Sequence, residues 1–190
     1  MNFLTDKVFV RFVIKFLLVF AICYYGTIAV IGLTVPGGHY SPFIDHYLDY
    51  VSWIRNSLLY GSKAVLAVFG LDTYVVGDHN LRVFNGRGIR IEYVCVGYGV
   101  MSFWIAFVVA SAGTLKKKII WCLGGLIFIW LLNITRLCLL LVAINKGWPM
   151  PLGLDHHTWF NIFAYIFIFI FIFLFNRQSK EPVALEKEKK

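Results

Sequence analysis

Charged residues are scarce in this sequence. Only 15% of its 190 residues are Asp, Glu, Lys or Arg, whereas an ordinary soluble domain carries roughly 25%. Apolar residues make up 59% of the chain, above the roughly 45–50% of soluble domains. A chain of this length holds one compact domain. The composition therefore leaves no room for a separate soluble catalytic domain, and it predicts an integral membrane protein.

Patterns typical of metal sites and disulfide frameworks are also missing. No CxxC pair, no His and Cys at metal-ligand spacing and no HExxH motif occurs. Three of the four cysteines, Cys23, Cys122 and Cys138, lie deep in apolar runs, where a thiol usually serves as a small buried apolar group. We therefore expect no metal, no cofactor and no disulfide framework, and we disfavour a metal-dependent intramembrane protease.

Positive charge is in excess, with a formal net charge of +8. The basic residues lie beside the apolar segments and in the C-terminal tail, and they do not form a stripe interleaved with exposed aromatic residues. A nucleic-acid-binding surface would show such a stripe. The charges are better explained by membrane orientation, so we expect the lipid bilayer and no nucleic acid as a partner.

Four long apolar segments predict transmembrane helices, because each is near or above the ~20 residues that cross the hydrocarbon core. They cover residues 8–35, 91–113, 119–144 and 157–175. The first is longer than the roughly 7–15 apolar residues of a signal peptide and has no A-x-A cleavage site. We interpret it as a retained membrane anchor.

A fifth segment, residues 51–72, is interrupted by polar residues and either crosses the membrane or lies amphipathically at its surface. The positive-inside rule distinguishes the two. If the segment does not cross, the lysines at 116–118 fall in the cytoplasm with the basic N-terminus and the basic tail. The loop 36–50, which lacks Lys and Arg, then lies outside. We therefore predict four crossings and a helix on the outer surface.

The predicted fold class is an all-α polytopic membrane protein with one small extracytoplasmic β-hairpin. Residues 73–94 alternate apolar and polar side chains around Asn85 and Gly86, a strong hairpin signal. Residues 1–175 are expected to form a single membrane domain. The charged segment 176–190 is predicted to be a disordered cytoplasmic tail.

Three chemically capable residues, Cys95, Arg136 and His157, fall near ends of different spans. With the charge-derived topology, Cys95 lies about 6 Å below the outer boundary of its span, at ~1.5 Å per residue. Arg136 lies about 26 Å from the cytoplasmic start of its span, also in the outer half. His157 opens the last span at its outer end. The topology therefore places a thiol, a guanidinium and an imidazole in one leaflet.

Arg136 is a functional candidate because ionised residues inside spans usually face a bundle interior or a water-filled cavity. Asn133 lies one turn before it and adds a polar group to the same face. For the histidine, two neighbours compete: His157 has Asn161 one turn further on, whereas His156 has an aromatic residue. We prefer His157, and the choice between the two stays open.

Three motifs on successive spans resemble the exosortase/archaeosortase family of membrane transpeptidases: "EYVCVGYG", "NITR" and "HHTWFN". The resemblance covers about residues 73–170. It implies Cys95 as nucleophile, with Arg136 and His157 completing a catalytic triad. The implied substrate is a secreted protein whose C-terminal signal combines a short motif, an apolar span and a basic cluster.

The resemblance also implies location and activity. The enzyme would be a multi-pass protein of the plasma membrane that cleaves its substrate at the outer face and passes the acyl group to an acceptor. The chain is shorter than many family members, which carry more spans. The alternative from another class is a noncatalytic subunit of a polysaccharide-export or secretion assembly, in which Asn133, Arg136 and Glu92 form a structural polar network.

Overall fold

A computed structural model of the protein describes residues 7–35, 37, 39–148 and 156–187. The described chain is mostly helical and contains one small sheet. Its helices are α1 (Lys7–Thr34), α2 (Pro42–Leu48), α3 (Tyr50–Val68), α4 (Tyr98–Ala110), α5 (Leu115–Lys146) and α6 (His156–Lys187). Its strands are β1 (Thr73–Val76), β2 (Asn80–Val83) and β3 (Gly88–Arg90), and a 3₁₀ turn (Tyr93–Val96) precedes α4.

The four apolar helices α1, α4, α5 and α6 pack as antiparallel neighbours. Aromatic pairs set the α1–α4 contact: Phe12 meets Phe107 at 6.2 Å between ring centroids, and Tyr24 meets Tyr98 at 5.5 Å. The α5–α6 contact has the same sense, since the start of α5 packs against the end of the apolar part of α6, with 5.6 Å between the rings of Trp121 and Phe175. The starts of α1 and α5 and the ends of α4 and α6 therefore lie together.

We call this end of the bundle the basic end, because it collects the positive charges at residues 7, 11, 15, 116–118 and 177. Two of its lysines bond to neighbouring helices. Lys117 Nζ donates to the carbonyl of Phe175 within α6 at 3.4 Å, and Lys118 Nζ donates to the carbonyl of Val109 in the last turn of α4 at 2.9 Å. Carbonyls near a helix C-terminus lack intrahelical partners, and the helix dipole favours a cation there.

Two helices in the described ranges, α1 and α5, are long and apolar enough to cross a membrane. They are about 42 Å and 48 Å long at ~1.5 Å per residue. A core helix of a soluble protein also meets this criterion, but only 6% of the most apolar window of α1 is buried. Of the four predicted spans, two are therefore supported as candidates. The other two correspond to the apolar helical segments Tyr98–Ala110 and Tyr165–Arg177, which are too short to meet the same criterion.

Two predicted segments differ in the structure. The span predicted over residues 91–113 is divided: β3 and the 3₁₀ turn occupy its beginning, and α4 starts only at Tyr98. The tail predicted to be disordered is helical as far as Lys187, because α6 continues through it. Residues 176–187 contain several good helix formers, Arg, Gln, Lys, Glu, Ala and Leu, and also Pro182, which disfavours a helix interior.

Helix α3 packs lengthwise along the C-terminal half of α5, and both helices run in the same direction. Trp130 Nε1 donates to Ser57 Oγ at 2.9 Å, and further along both helices Cys138 Sγ donates to the carbonyl of Ser62 at 3.6 Å. The segment 51–72, predicted to lie on the outer surface, thus forms a helix that packs along α5 through a buried apolar face that includes Leu58 and Leu66. Its place relative to the membrane stays a prediction.

The sheet is an antiparallel meander in the order β1-β2-β3, one strand more than the predicted hairpin. Leu81 pairs with Ile89 and both are buried against α3 and α5. Asn85 stands at the predicted turn with φ 57°, a left-handed conformation that asparagine tolerates. The amide of Arg87 donates to Asn145 Oδ1 at 2.7 Å, so the end of α5 holds the tip of the hairpin.

Candidate functional site

Cys95 lies in the 3₁₀ turn that connects the sheet to α4, at the end of the bundle opposite the basic end. Its side chain is only 8% exposed and belongs to a core cluster formed with α3, the sheet and α5. Its amide donates to the carbonyl of Glu92 at 2.9 Å. The thiol is therefore carried by a short irregular segment between two regular elements, and not by a continuous helix as the sequence predicts.

Asn133 connects this turn to α5. Its Nδ2 donates to the carbonyl of Val96 at 3.0 Å, and the asparagine side chain is fully buried. Gly97, the next residue, has φ 77°, which favours glycine. A Cβ at Gly97 would also lie 2.8 Å from Asn133 Nδ2. The backbone of residues 96 and 97 thus lies directly against the side-chain amide of Asn133, and this contact fixes the two residues relative to α5.

Arg136 lies on α5 three residues after Asn133 and is half-buried. Residues three apart in a helix lie close on its surface, so Arg136 is a near neighbour of Asn133 on α5. The structure connects Asn133 to the thiol-bearing turn by a direct hydrogen bond to the carbonyl of Val96. The meeting of the Arg136 guanidinium with the thiol stays a prediction.

His157 is in the first turn of α6, whose start lies beside the end of α5 because the two helices are antiparallel. Its backbone is thus at the same end of the bundle as Cys95 and Arg136. The side chains of His156, His157 and Asn161 lie outside the described part of the structure. The meeting of the imidazole with the thiol, and the preference for His157 over His156, stay predictions.

Glu92 does not belong to this cluster. It forms an ion pair with Arg90 at 2.6 Å, and the two side chains are 50% and 61% exposed. Solvent screening makes such a surface pair a weak contributor to stability. The position of Glu92 three residues before Cys95 in the sequence therefore brings its carboxylate to the protein surface and not into the core beside the thiol.

Arg55 is a residue of this region that the sequence interpretation did not select. Its guanidinium carbon lies 4.7 Å from the ring centroid of Tyr93, the first residue of the 3₁₀ turn. In the sequence, Arg55 looked like one of several polar interruptions of an amphipathic helix. Its apolar neighbours could have indicated that Arg55 lies beside the buried face of the helix, because Ile54 and Leu58 pack into the core.

The remaining cysteines differ from Cys95 in their surroundings. Cys138 is equally buried but donates to the backbone carbonyl of Ser62, within the α3–α5 contact. Cys23 and Cys122 are half-buried on α1 and α5. Among the described residues no group of three His, Cys, Asp or Glu side chains is arranged to hold a metal ion.

Comparisons with known proteins add no name to this geometry. No family model, curated protein or solved structure matches the chain. Three chemically capable residues lie toward this end of the bundle: Cys95 in the turn, Arg136 on α5 and His157 in the first turn of α6. A thiol and a histidine are the usual components of covalent acyl transfer.

Proposed function

We propose that the protein is a membrane-embedded cysteine transpeptidase or protease that cleaves a C-terminal sorting signal from secreted proteins at the outer face of the plasma membrane. One observation carries the proposal. Cys95 is held in an irregular turn by Asn133, which stands one helical turn before Arg136 on the facing helix. The resemblance to exosortases and archaeosortases supports it, because these three positions belong to the matching motifs.

Four crossings account for the arrangement of the helices. The 3₁₀ turn and α4 are together about 28 Å long, at ~2.0 and ~1.5 Å per residue, which approaches the ~30 Å of the hydrocarbon core. The antiparallel packing brings the basic residues of α1, α5 and α6 together at the basic end, as the positive-inside rule requires of the cytoplasmic ends of spans. The Cys95 turn then lies within the outer leaflet.

An irregular turn at that depth needs protein around it, because lipid offers no hydrogen bonds to exposed backbone groups. The bond from Asn133 to the carbonyl of Val96 meets this need for one carbonyl of the turn, and the side chains of Cys95 and Val96 are buried. Such breaks in membrane helices are found where a site requires an irregular backbone. The break at Cys95 therefore favours a functional position over a simple buried thiol.

The roles follow from ordinary acyl-transfer chemistry. His157 accepts the thiol proton, and the sulfur of Cys95 attacks the scissile carbonyl. Arg136 stabilises the resulting oxyanion in a site of low dielectric constant. Collapse of this intermediate expels the amine of the C-terminal segment, which takes the proton from His157. The thioester left on Cys95 is then transferred to an amine, a lipid or water.

A noncatalytic assembly subunit is the second candidate. The observation that favours it is the burial of Cys95 in an apolar cluster whose other members include Leu137 and Leu141. In this interpretation Asn133 serves only to fasten the turn, and Arg136 stabilises the helix bundle. Such a protein would keep its full function after loss of the thiol.

The two candidates are separated by processing of a coexpressed secreted protein that ends in an apolar span and a basic cluster. We expect Cys95→Ala to abolish removal of the C-terminal segment while the protein remains inserted. Cys138→Ala, which deletes a thiol of equal burial, should process normally. Arg136→Lys should also lose activity, because an ammonium does not reproduce the planar guanidinium fork. Wild-type processing by Cys95→Ala would favour the assembly subunit.

A further inference from the structure

We propose that Arg55 is a positioning residue for Cys95, which it serves by stacking on Tyr93 and fixing the first residue of the thiol-bearing turn. The inference rests on the proposed role of Cys95 and adds a residue that no resemblance or comparison assigns. Asn133 fixes the last residue of the turn through the carbonyl of Val96. Arg55 would supply the missing restraint at the other end, from a different helix.

The contact itself is well formed. The guanidinium carbon of Arg55 lies 4.7 Å from the ring centroid of Tyr93, inside the ~6 Å range of attractive cation–π pairs. Both side chains are half-buried, so water screens the attraction less than at an open surface. Arg55 Nη2 also lies 3.5 Å from Ser52 Oγ one turn earlier on α3, which orients the guanidinium plane.

The Tyr93 ring is the main group that compensates the positive charge of Arg55. The ion pair between Arg90 and Glu92 lies on the sheet side and does not include Arg55. The buried Nε of Arg55 has no hydrogen-bond partner there. The nearby Asp49 caps the start of α3 by accepting from the amide of Ser52. A half-buried cation without a carboxylate depends on the tyrosine ring for its compensation.

The depth of Arg55 in the bundle matches that of the turn. Ser57, two residues further along α3, is bonded to Trp130, and Trp130 precedes Asn133 by less than one turn of α5. Arg55 and Asn133 therefore act at nearly the same level of the bundle, from α3 and α5. In the four-crossing arrangement this level is in the outer leaflet, where a buried arginine is expensive and is usually retained for function.

Two restraints at the two ends of a four-residue turn have a chemical consequence. Nucleophilic attack requires the sulfur within about 3–3.5 Å of the carbonyl carbon, and a misplacement of about 1 Å costs on the order of a hundredfold in rate. Asn133 holds the turn at its Val96 end. With Arg55 on Tyr93, the segment that contains Cys95 is fixed at both sides.

The test measures alkylation of Cys95 by N-ethylmaleimide in the full-length protein, with quantification of the labelled peptide by mass spectrometry. Cys138 is the internal reference, because both thiols are 8% exposed. We expect Arg55→Gln and Tyr93→Leu to accelerate alkylation of Cys95 by about tenfold and to leave Cys138 unchanged. Tyr93→Phe keeps the aromatic ring and should behave like the wild type, so the conservative variant restores the restraint.

Three results would overturn the proposal. An unchanged or slower rate at Cys95 in Arg55→Gln and Tyr93→Leu would show that the pair does not restrain the turn. Acceleration of Cys95 and Cys138 together would show general loosening of the bundle. Acceleration in Tyr93→Phe would assign the effect to the hydroxyl and not to the ring. Failure of the catalytic proposal is seen separately, since it requires normal substrate processing by Cys95→Ala, whereas the alkylation assay uses no substrate.

Discussion

Asn133 and Val96 are 37 positions apart, and the hydrogen bond between them fixes the thiol-bearing turn. A buried polar group that loses its hydrogen-bond partner destabilises the folded protein by about 1–3 kcal/mol, because its desolvation is no longer compensated. For single residues, the stability of the site therefore depends more on Asn133 than on Cys95, whose burial is ordinary for a thiol. The sequence marked Asn133 as polar lining beside Arg136, and its structural contact became visible only in three dimensions.

Replacement of Asn133 by alanine should lower the free energy of unfolding by about 1–3 kcal/mol, because the carbonyl of Val96 loses its donor. Thermal unfolding of the detergent-solubilised protein measures the change. Thr135→Val is the matched control: Thr135 is exposed on the same helix and donates only to the carbonyl of Leu131. Its effect should stay within about 0.5 kcal/mol. Equal effects of the two substitutions would contradict a buried fastening at Asn133.

Helices α4 and α5 approach each other closely at a glycine of α5. A Cβ at Gly125 would overlap the indole of Trp104, whose Nε1 donates to the carbonyl of Trp121 at 3.1 Å. Gly124, its neighbour in sequence, is exposed and has open space around it. Small residues at one face of a helix let a neighbour pack tightly in membrane bundles, and here they fix α4, and with it the turn at Cys95.

The adjacent glycines provide a direct comparison. Gly125→Ala should destabilise the protein by about 1–3 kcal/mol, since the added methyl forces Trp104 out of place. Gly124→Ala should be neutral or stabilise the helix by up to about 1 kcal/mol. The unfolding temperatures of the two variants, measured in the same detergent, test this difference in stability. A stable Gly125→Ala protein would mean that α4 and α5 are less closely packed than described.

The hairpin tip depends on Asn145 in the same way that the Cys95 turn depends on Asn133. Loss of this side chain in Asn145→Ala should expose the amide of Arg87, which donates to Asn145 Oδ1 at 2.7 Å. Hydrogen exchange at Arg87 should then become faster. The amide of Ile91, which donates to the carbonyl of His79 at 2.8 Å, should keep its protection. Loss of protection at both amides would indicate that the entire sheet depends on Asn145.

How far the sequence predicts these elements varies with their cause. Long apolar runs flanked by basic residues placed α1 and α5 within a few residues, and the Asn85-Gly86 pair located the hairpin turn. These are local signals. The first strand, the 3₁₀ turn and the packing of α3 along α5 were not predicted. They arise from contacts with distant residues, such as Asn133 and Trp130, which no window of neighbouring residues contains.

For the molecule as a whole, the decisive feature is the separation of its two ends. The basic residues of α1, α5 and α6 gather at the basic end. The Cys95 turn, the sheet and the start of α6 lie at the opposite end. This polarity links the charge pattern of the sequence to the location of the site. In the proposed four-crossing topology, the α1–α2 connection and the α4–α5 connection face opposite sides of the membrane.

Paired cysteine substitutions test this requirement in intact cells, each measured against labelling of the parent protein. A cysteine at Ser41, between α1 and α2, should react with a membrane-impermeant maleimide added from outside. A cysteine at Ala112, between α4 and α5, should react only after lysis. Labelling of both from outside would remove the topology on which the outer location of the site depends, and the reverse pattern would invert its orientation.

The most direct test of the central claim looks for the thioester on Cys95. Hydroxylamine added during processing attacks a thioester, forms a hydroxamate and releases the free thiol. We predict that mass spectrometry of the cleaved substrate detects a C-terminal hydroxamate with the wild-type protein and with Cys138→Ala, and no cleaved substrate with Cys95→Ala. Cleavage by Cys95→Ala at the wild-type rate, with an ordinary carboxylate at the new terminus, would contradict the assignment of Cys95 as the nucleophile.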